Sequence, residues 1–263
     1  DAGFCYHAFM FLLGSIFLFF LGAIIASFIG VVVVRLNTGG SFLTGNSRCD
    51  ACTVPLLPLQ LVPIFSYLAS GGNAHCCGTR LSPLAPLSEF LLGVLFFLAY
   101  NIIVLVHALP FMLAALTTLL ALVLYDLAHQ ILPTPLLIVF IVTSALSGYL
   151  LADSVGAFIC SVFVALILAG ILAGIHFVSR GRAMGFADAP FVFGCALLVG
   201  PAALPGFIFS FWIGAGIGIV LLVRRPRGSR MGVEVPFAPF LAAGFLLAYF
   251  TQWNPFTVIE ALL

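Results

Sequence analysis

Residues 8–34 run for 27 positions without a charge. A helix needs about 20 such residues to cross a bilayer, and in hydrocarbon only a helix or a closed barrel satisfies every backbone N–H and C=O. The run lacks a basic leading segment and exceeds the apolar core of a signal peptide, about 7–15 residues, so it reads as a retained membrane helix. Seven further apolar segments follow, at roughly 87–106, 109–126, 135–152, 155–178, 188–200, 205–223 and 236–251. The segments at 109–126 and 188–200 are short, which implies tilt or a broken end tucked inside a bundle. Pro110, Pro133, Pro201 and Pro205 fall at the joints, where a missing N–H does least harm. Only 6% of the residues are charged, against about a quarter in a soluble domain. The expectation is an all-α polytopic membrane protein of about eight transmembrane helices, its partner being the lipid bilayer.

Charge gives the orientation. There is no lysine, and with eight spans all nine arginines (Arg35, Arg48, Arg80, Arg180, Arg182, Arg224, Arg225, Arg227 and Arg230) fall in the loops 35–86, 179–187 and 224–235, on one side. Asp1, Asp153 and Glu260 fall on the other. The positive-inside rule makes the arginine side cytoplasmic and puts both termini outside. A six-span count that fused a neighbouring pair would keep most of this pattern.

The sizeable polar region is the loop at about 36–86. It opens with the irregular "LNTGGSFLTGNSRCDAC" and continues through "PLLPLQLVPIFSYLASGG", apolar but punctuated by prolines and suited to the membrane interface. Elsewhere, Gly170-x-x-x-Gly174 and "GAGIG" at 214–218 are small-residue faces that read as close helix packing.

Seven cysteines are present. Cys5, Cys160 and Cys195 are isolated and read as small buried hydrophobes. The other four, Cys49-x-x-Cys52 and His75-Cys76-Cys77-Gly78, form two knuckles in the cytoplasmic loop, where a disulfide framework is not expected. The pattern points to a tetrahedral, structural Zn2+ site. Ala74 stands where a second C-x-x-C would need cysteine, so Cys49, Cys52 and Cys77 are joined by either Cys76 or His75. Unligated or redox-active thiols are the alternative.

Three acidic residues, Glu89, Asp126 and Asp188, sit within or at the cytoplasmic ends of spans, and intramembrane ionisable groups are functional candidates by default. Asp126, in "ALVLYDLAHQILPTP", ends the third span and Asp188, in "GFADAPF", begins the sixth, so both reach the same depth. Two carboxyls a few ångströms apart cannot both ionise cheaply and can share one proton. Such a dyad can hold a water between a base and an acid and hydrolyse a peptide bond at the bilayer edge. A proton relay in a carrier and a simple helix-end role are the competing readings; Asp126 lies at the wrong helix end for the dipole. Glu89, near a helix start, reads as structural or substrate-binding. His107, His129 and His176 show no metal spacing, and the sparse basic residues beside the membrane give nucleic-acid binding no support.

Taken in order, five segments resemble the bacterial type IV prepilin leader peptidase/N-methyltransferase family. "GAIIASFIGVVVVRL" (22–36) resembles its first helix, with G-S-F-x-N-V-x-x-x-R-L, and "SRCDAC" with "CCGTRLSPLAPLSEFLLG" its cysteine loop and second helix. "YDLAHQILPTPL" (125–136) resembles the segment of the first catalytic aspartate and "GRAMGFADAPF" (181–191) the G-x-G-D segment of the second. "VPFAPFLAAGFLLAYF" (235–250) resembles the I-P-F-G-P-F-L-A-x-G stretch near the last span.

The resemblance implies that residues 1–107 hold two helices and the cysteine loop, and residues 108–263 a six-helix membrane aspartic peptidase. It implies Asp126 and Asp188 as catalytic residues in the bacterial inner membrane. The substrates would be prepilins or pseudopilins of type IV pilus or type II secretion systems, cut on the cytoplasmic side after Gly and before a residue that is usually Phe. It also implies methylation of the new amine from S-adenosylmethionine, and zinc in the cysteine loop. A catalytically inactive relative and a proton-coupled membrane carrier using the same Asp pair are the alternatives.

Gly185 keeps the first glycine of G-x-G-D, but Ala187 replaces the second and Pro190 the usual lysine. Ala26 and Gly30 depart from the first-helix pattern. If position 187 needed φ > 0, Ala would carry strain; at negative φ it is tolerated.

Overall fold

The computed structural model describes residues 2–36, 49, 51–55, 57, 61–103, 105–182, 184–224 and 236–255. Asp1, Arg48, Arg225, Arg227, Arg230, Glu260 and the stretch 37–48 lie outside the described residues, as do the side chains of Cys5, His7 and Arg224. The chain falls into two compact units, Asp1–Val104 and Leu105–Leu263.

In the first unit, α1 (Ala2–Arg35) packs on α3 (Leu84–Ile102). Gly22 faces the Leu92 backbone, Gly93 faces Phe19, and Asn101 Nδ2 donates to Ser15 Oγ at 3.2 Å. Sequence numbers rise along one helix as they fall along the other, so the two run antiparallel. Gly22 has no room to carry a Cβ, which would meet the Leu92 carbonyl oxygen at 2.8 Å. That close backbone approach is how apolar helices gain van der Waals contact where no hydrophobic effect drives them together. Between α1 and α3 lies the short helix α2 (Phe65–Ala69).

The second unit holds α4 (Leu109–His129), α5 (Thr134–Leu151), α6 (Val155–Ser179), α7 (Asp188–Val199), α8 (Ala203–Arg224) and α9 (Ala238–Thr251). Gly200 (φ 55) and a 3-10 turn at Gly200–Ala202 join α7 to α8. The short α7 is the centre, packed by α5, α6, α8 and α9 and buried along ten of its twelve residues. Phe140 meets Phe191, and Gly148 meets the Leu197 carbonyl, so α5 and α7 run parallel. α8 and α9 form an antiparallel pair in which Gly244 abuts Ser210, whose hydroxyl donates to the Leu241 carbonyl at 3.1 Å.

Each of the eight apolar segments forms a helix, giving an all-α polytopic membrane protein with a cysteine cluster in one loop. Six stretches among the described residues are long and apolar enough to span a bilayer; one of them, Asp188–Leu221, contains both α7 and α8, and α9 is shorter. α6 buries Ala165, Leu168 and Leu172 and leaves Ile159, Phe163, Ile167 and Ile171 exposed, a surface suited to hydrocarbon.

Two expectations change. α4 continues three residues past Asp126, because Leu127, Ala128 and His129 still close helical bonds before Gln130 (φ 55) caps it. Gly170 and Gly174 do not build a helix crossing: a Cβ at either would meet nothing within 4 Å among the described residues. Close crossings are instead made at glycines such as Gly22, Gly148 and Gly244.

Candidate functional site

Asp126 and Asp188 both lie in the second unit. Asp126 lies in the last turn of α4, where its carbonyl accepts from Gln130 N–H at 2.8 Å. Asp188 is the first residue of α7, where the Asp188 N–H donates to the Gly185 carbonyl at 3.3 Å. Both side chains are buried, 7% and 9% exposed. The charge of Asp126 acts on the Asp188 carboxyl. One further element shapes this site: Asp126 Oδ2 accepts from the Ala238 N–H, at the start of α9, at 3.2 Å. Asp126 thus anchors the start of α9, which packs on α7 as well as on α4, and two buried acids near enough for the charge of one to bear on the other can share a proton.

The G-x-A-D turn supports this placement. Ala187 has φ −67° and ψ −17°, the ordinary right-handed region, so alanine carries no strain there. Gly185 faces the second carboxylate: a Cβ there would lie 3.6 Å from Asp188 Oδ2, and the Gly185 backbone interacts with that carboxyl. His176, which showed no metal spacing, holds this loop through an Nδ1 contact with the Met184 carbonyl at 2.9 Å. Pattern reasoning missed it because a side chain bonding to backbone eight residues away follows no helical period.

Glu89 belongs to the first unit. It is buried, and its Oε2 accepts from Ile64 N–H at 2.7 Å, at the entry to α2. Ile64 sits at φ 63°, costly for a β-branched residue, and the charge-assisted bond holds it there.

The four loop cysteines gather. Cys49, Cys52, Cys76 and Cys77 place their sulfurs within 4.8 Å of one another. Cys49 and Cys77 Sγ are 3.8 Å apart, Cys76 and Cys77 Sγ 3.9 Å, and Cys52 and Cys76 Sγ 3.2 Å. Four sulfurs about 2.3 Å from a tetrahedral ion stand about 3.8 Å from one another, so the donor set fits a closed zinc centre. His75 is not in this group. Cys76, adjacent to Cys77 rather than spaced from it, fills the corner that Ala74 leaves empty of sulfur.

Two tight turns aim backbone N–H groups at the sulfurs. The first closes with Thr53 N–H to Cys49 O at 2.8 Å, the second with Gly78 N–H to Ala74 O at 2.7 Å, Gly78 being at φ 68°. Backbone N–H bonds from Cys52 and then Ala51, with a bond from the Cys76 thiol, lower the Cys49 thiol to about 6. The Thr79 hydroxyl and amide lower the Cys77 thiol. Cys76, which shares its proton with Cys52 and then Cys49, is pushed up to about 12. Sulfurs whose acidity is raised by backbone and hydroxyl donors suit a soft cation, which binds the thiolate form.

Comparison with known proteins identifies the family. Residues 20–103 match the family model "Bacterial Peptidase A24 N-terminal domain". The chain is 30% identical over 220 residues to the prepilin leader peptidase/N-methyltransferase of Bacillus subtilis, covering 80% of this chain and 83% of that one. It is 29% identical over 206 residues to the protein of that name from Pseudomonas aeruginosa (76% and 70% covered), and 29% over 218 residues to that from Dichelobacter nodosus (78% and 71%). No solved structure matches the chain. Identity at this level across four-fifths of the chain, with the cysteine loop in the matched domain, makes it a member of the prepilin leader peptidase/N-methyltransferase family.

Proposed function

We propose that the chain is an integral-membrane aspartic endopeptidase that removes the basic leader of prepilin-like proteins at the cytoplasmic face of the bacterial inner membrane. The observation that carries this reading is the burial of two acids, Asp126 and Asp188, in one unit, with the charge of the first bearing on the second. One carboxylate takes a proton from a bound water as its oxygen attacks the scissile carbonyl carbon. The other, protonated, donates its proton to the leaving nitrogen as the C–N bond breaks. The pair ends the cycle with one proton between them, as it began. Burial keeps bulk water from quenching this exchange. In this reading, residues 108–263 are the peptidase domain, and Gly185 and Ala187 shape the turn that presents Asp188.

The loop cysteines Cys49, Cys52, Cys76 and Cys77 would hold one structural zinc ion, which when bound crosslinks the two turns of residues 49–54 and 74–79. A site with four protein ligands has no open position for substrate.

The family's second activity, N-methylation of the new amine with S-adenosylmethionine, is proposed on membership alone. The buried polar side chains among the described residues are Ser15, Ser88, Glu89, Asp126, Ser144, Ser147, Asp188 and Ser210. They are scattered over α1, α3, α4, α5, α7 and α8 and assemble no donor set for a nucleoside, so no step is derived through that cofactor.

Purified protein in detergent or vesicles, given a substrate with a basic leader, a Gly-Phe junction and an apolar helix, should release the leader at that junction. Labelled methyl should then pass to the precut helix. Absence of cleavage with correctly inserted protein would refute the peptidase, and absence of label only the methyltransferase.

A further inference from the structure

We propose that His176 is a positioning residue for Asp188, holding the α6–α7 loop by a hydrogen bond from its ring Nδ1–H to the Met184 carbonyl; the proposal rests on the peptidase reading above. The distance is 2.9 Å. A carbonyl only accepts, so Nδ1 carries the proton that makes this bond. His176 also holds the loop's other end: its own carbonyl accepts from Gly181 N–H at 2.9 Å, where Arg180 (φ 54°) and Gly181 (φ 74°) turn the chain out of α6. One residue thus grips the loop at positions 181 and 184.

Met184 precedes Gly185 directly. The Gly185 carbonyl accepts from Asp188 N–H at 3.3 Å, and Gly185 lies against the Asp188 carboxylate. Backbone therefore runs from the tethered carbonyl to the reacting group in four residues. The loop is short and includes Gly181 and Gly185, whose backbone freedom makes a side-chain tether useful. Phe177 and Phe186 flank the imidazole, each with its ring centroid 5.6 Å from it, and restrict its rotation.

A tether of this kind acts on the approach of the carboxylate to the scissile bond, and a misplacement of about 1 Å costs up to roughly a hundredfold in rate. The test compares His176→Leu, His176→Asn and His176→Gln with Asp188→Asn in the leader-cleavage assay. The amide nitrogen of Asn occupies the place of Nδ1, whereas that of Gln occupies the place of Nε2. His176→Leu and His176→Gln should lower kcat about ten- to a hundredfold with KM within about twofold, and His176→Asn should recover most of the loss. Wild-type kcat in His176→Leu, or equal impairment of the Asn and Gln variants, would overturn the tether. If His176→Leu fails to insert, the comparison of Asn with Gln decides alone. Cleavage by Asp188→Asn would instead remove the peptidase reading itself, whatever the His176 variants do.

Discussion

The Asp126 carboxylate and the Ala238 backbone N–H are 3.2 Å apart, joining the last turn of α4 to the first residue of α9 across 112 positions of sequence. The bond fixes Oδ2. Asp126→Glu keeps the charge but adds a methylene that moves the carboxylate off this anchor. Its cleavage rate should fall about a hundredfold despite the intact acid, read as kcat in vesicles. Unchanged kcat in this variant would mean that the anchor has no part in placing the carboxylate.

Ala187→Gly should leave kcat/KM within about twofold. The backbone at 187 is right-handed, at φ −67°, so restoring the glycine relieves nothing, and at a helix N-cap glycine is at least as well accepted as alanine. A large gain in activity on this change would show that position 187 moves into the left-handed region during the reaction.

Metal analysis of the purified protein should give about one zinc per chain. Cys52→Ser and Cys76→Ser should each lose it, while His75→Ala and Cys195→Ser keep it. Affinity should rise with pH between about 6 and 8, because a ligand must be thiolate and Cys76, held up at about 12, surrenders its proton only to the metal. Titration calorimetry in buffers of different ionisation enthalpy reads that proton. Retention of zinc by Cys76→Ser with loss in His75→Ala would reverse the ligand assignment.

Glu89→Gln should loosen α2. It exchanges a charge-assisted bond to Ile64 N–H for a neutral one, a change of about 1 kcal/mol, while Ile64 remains at φ 63°. Hydrogen exchange at the Leu68 amide, which bonds the Ile64 carbonyl at 3.1 Å, should quicken several-fold, and a second change, Ile64→Gly, should restore protection. Equal exchange in wild type and Glu89→Gln would show that the carboxylate does not hold the turn.

The spans were legible because hydrocarbon forces every buried backbone group into a helix, so uncharged length alone reports them. Asp126 and Asp188 were legible for the converse reason: a carboxyl in an apolar helix is conspicuous. The bonds that hold them were not. Ala238 N–H, Met184 C=O and Ile64 N–H are backbone groups, which carry no residue identity, and each meets a side chain across 8 to 112 positions. The fourth cysteine corner was open between Cys76 and His75 because adjacency in sequence says little about where two side chains point in a tight turn.

The most direct test is leader cleavage in membranes by Asp126→Asn and Asp188→Asn, with insertion verified. Each should lose about 10²–10⁴-fold or more in rate. The double variant should be no worse than either alone, since the two act as one unit. Cleavage at the wild-type rate by either single variant would contradict the account.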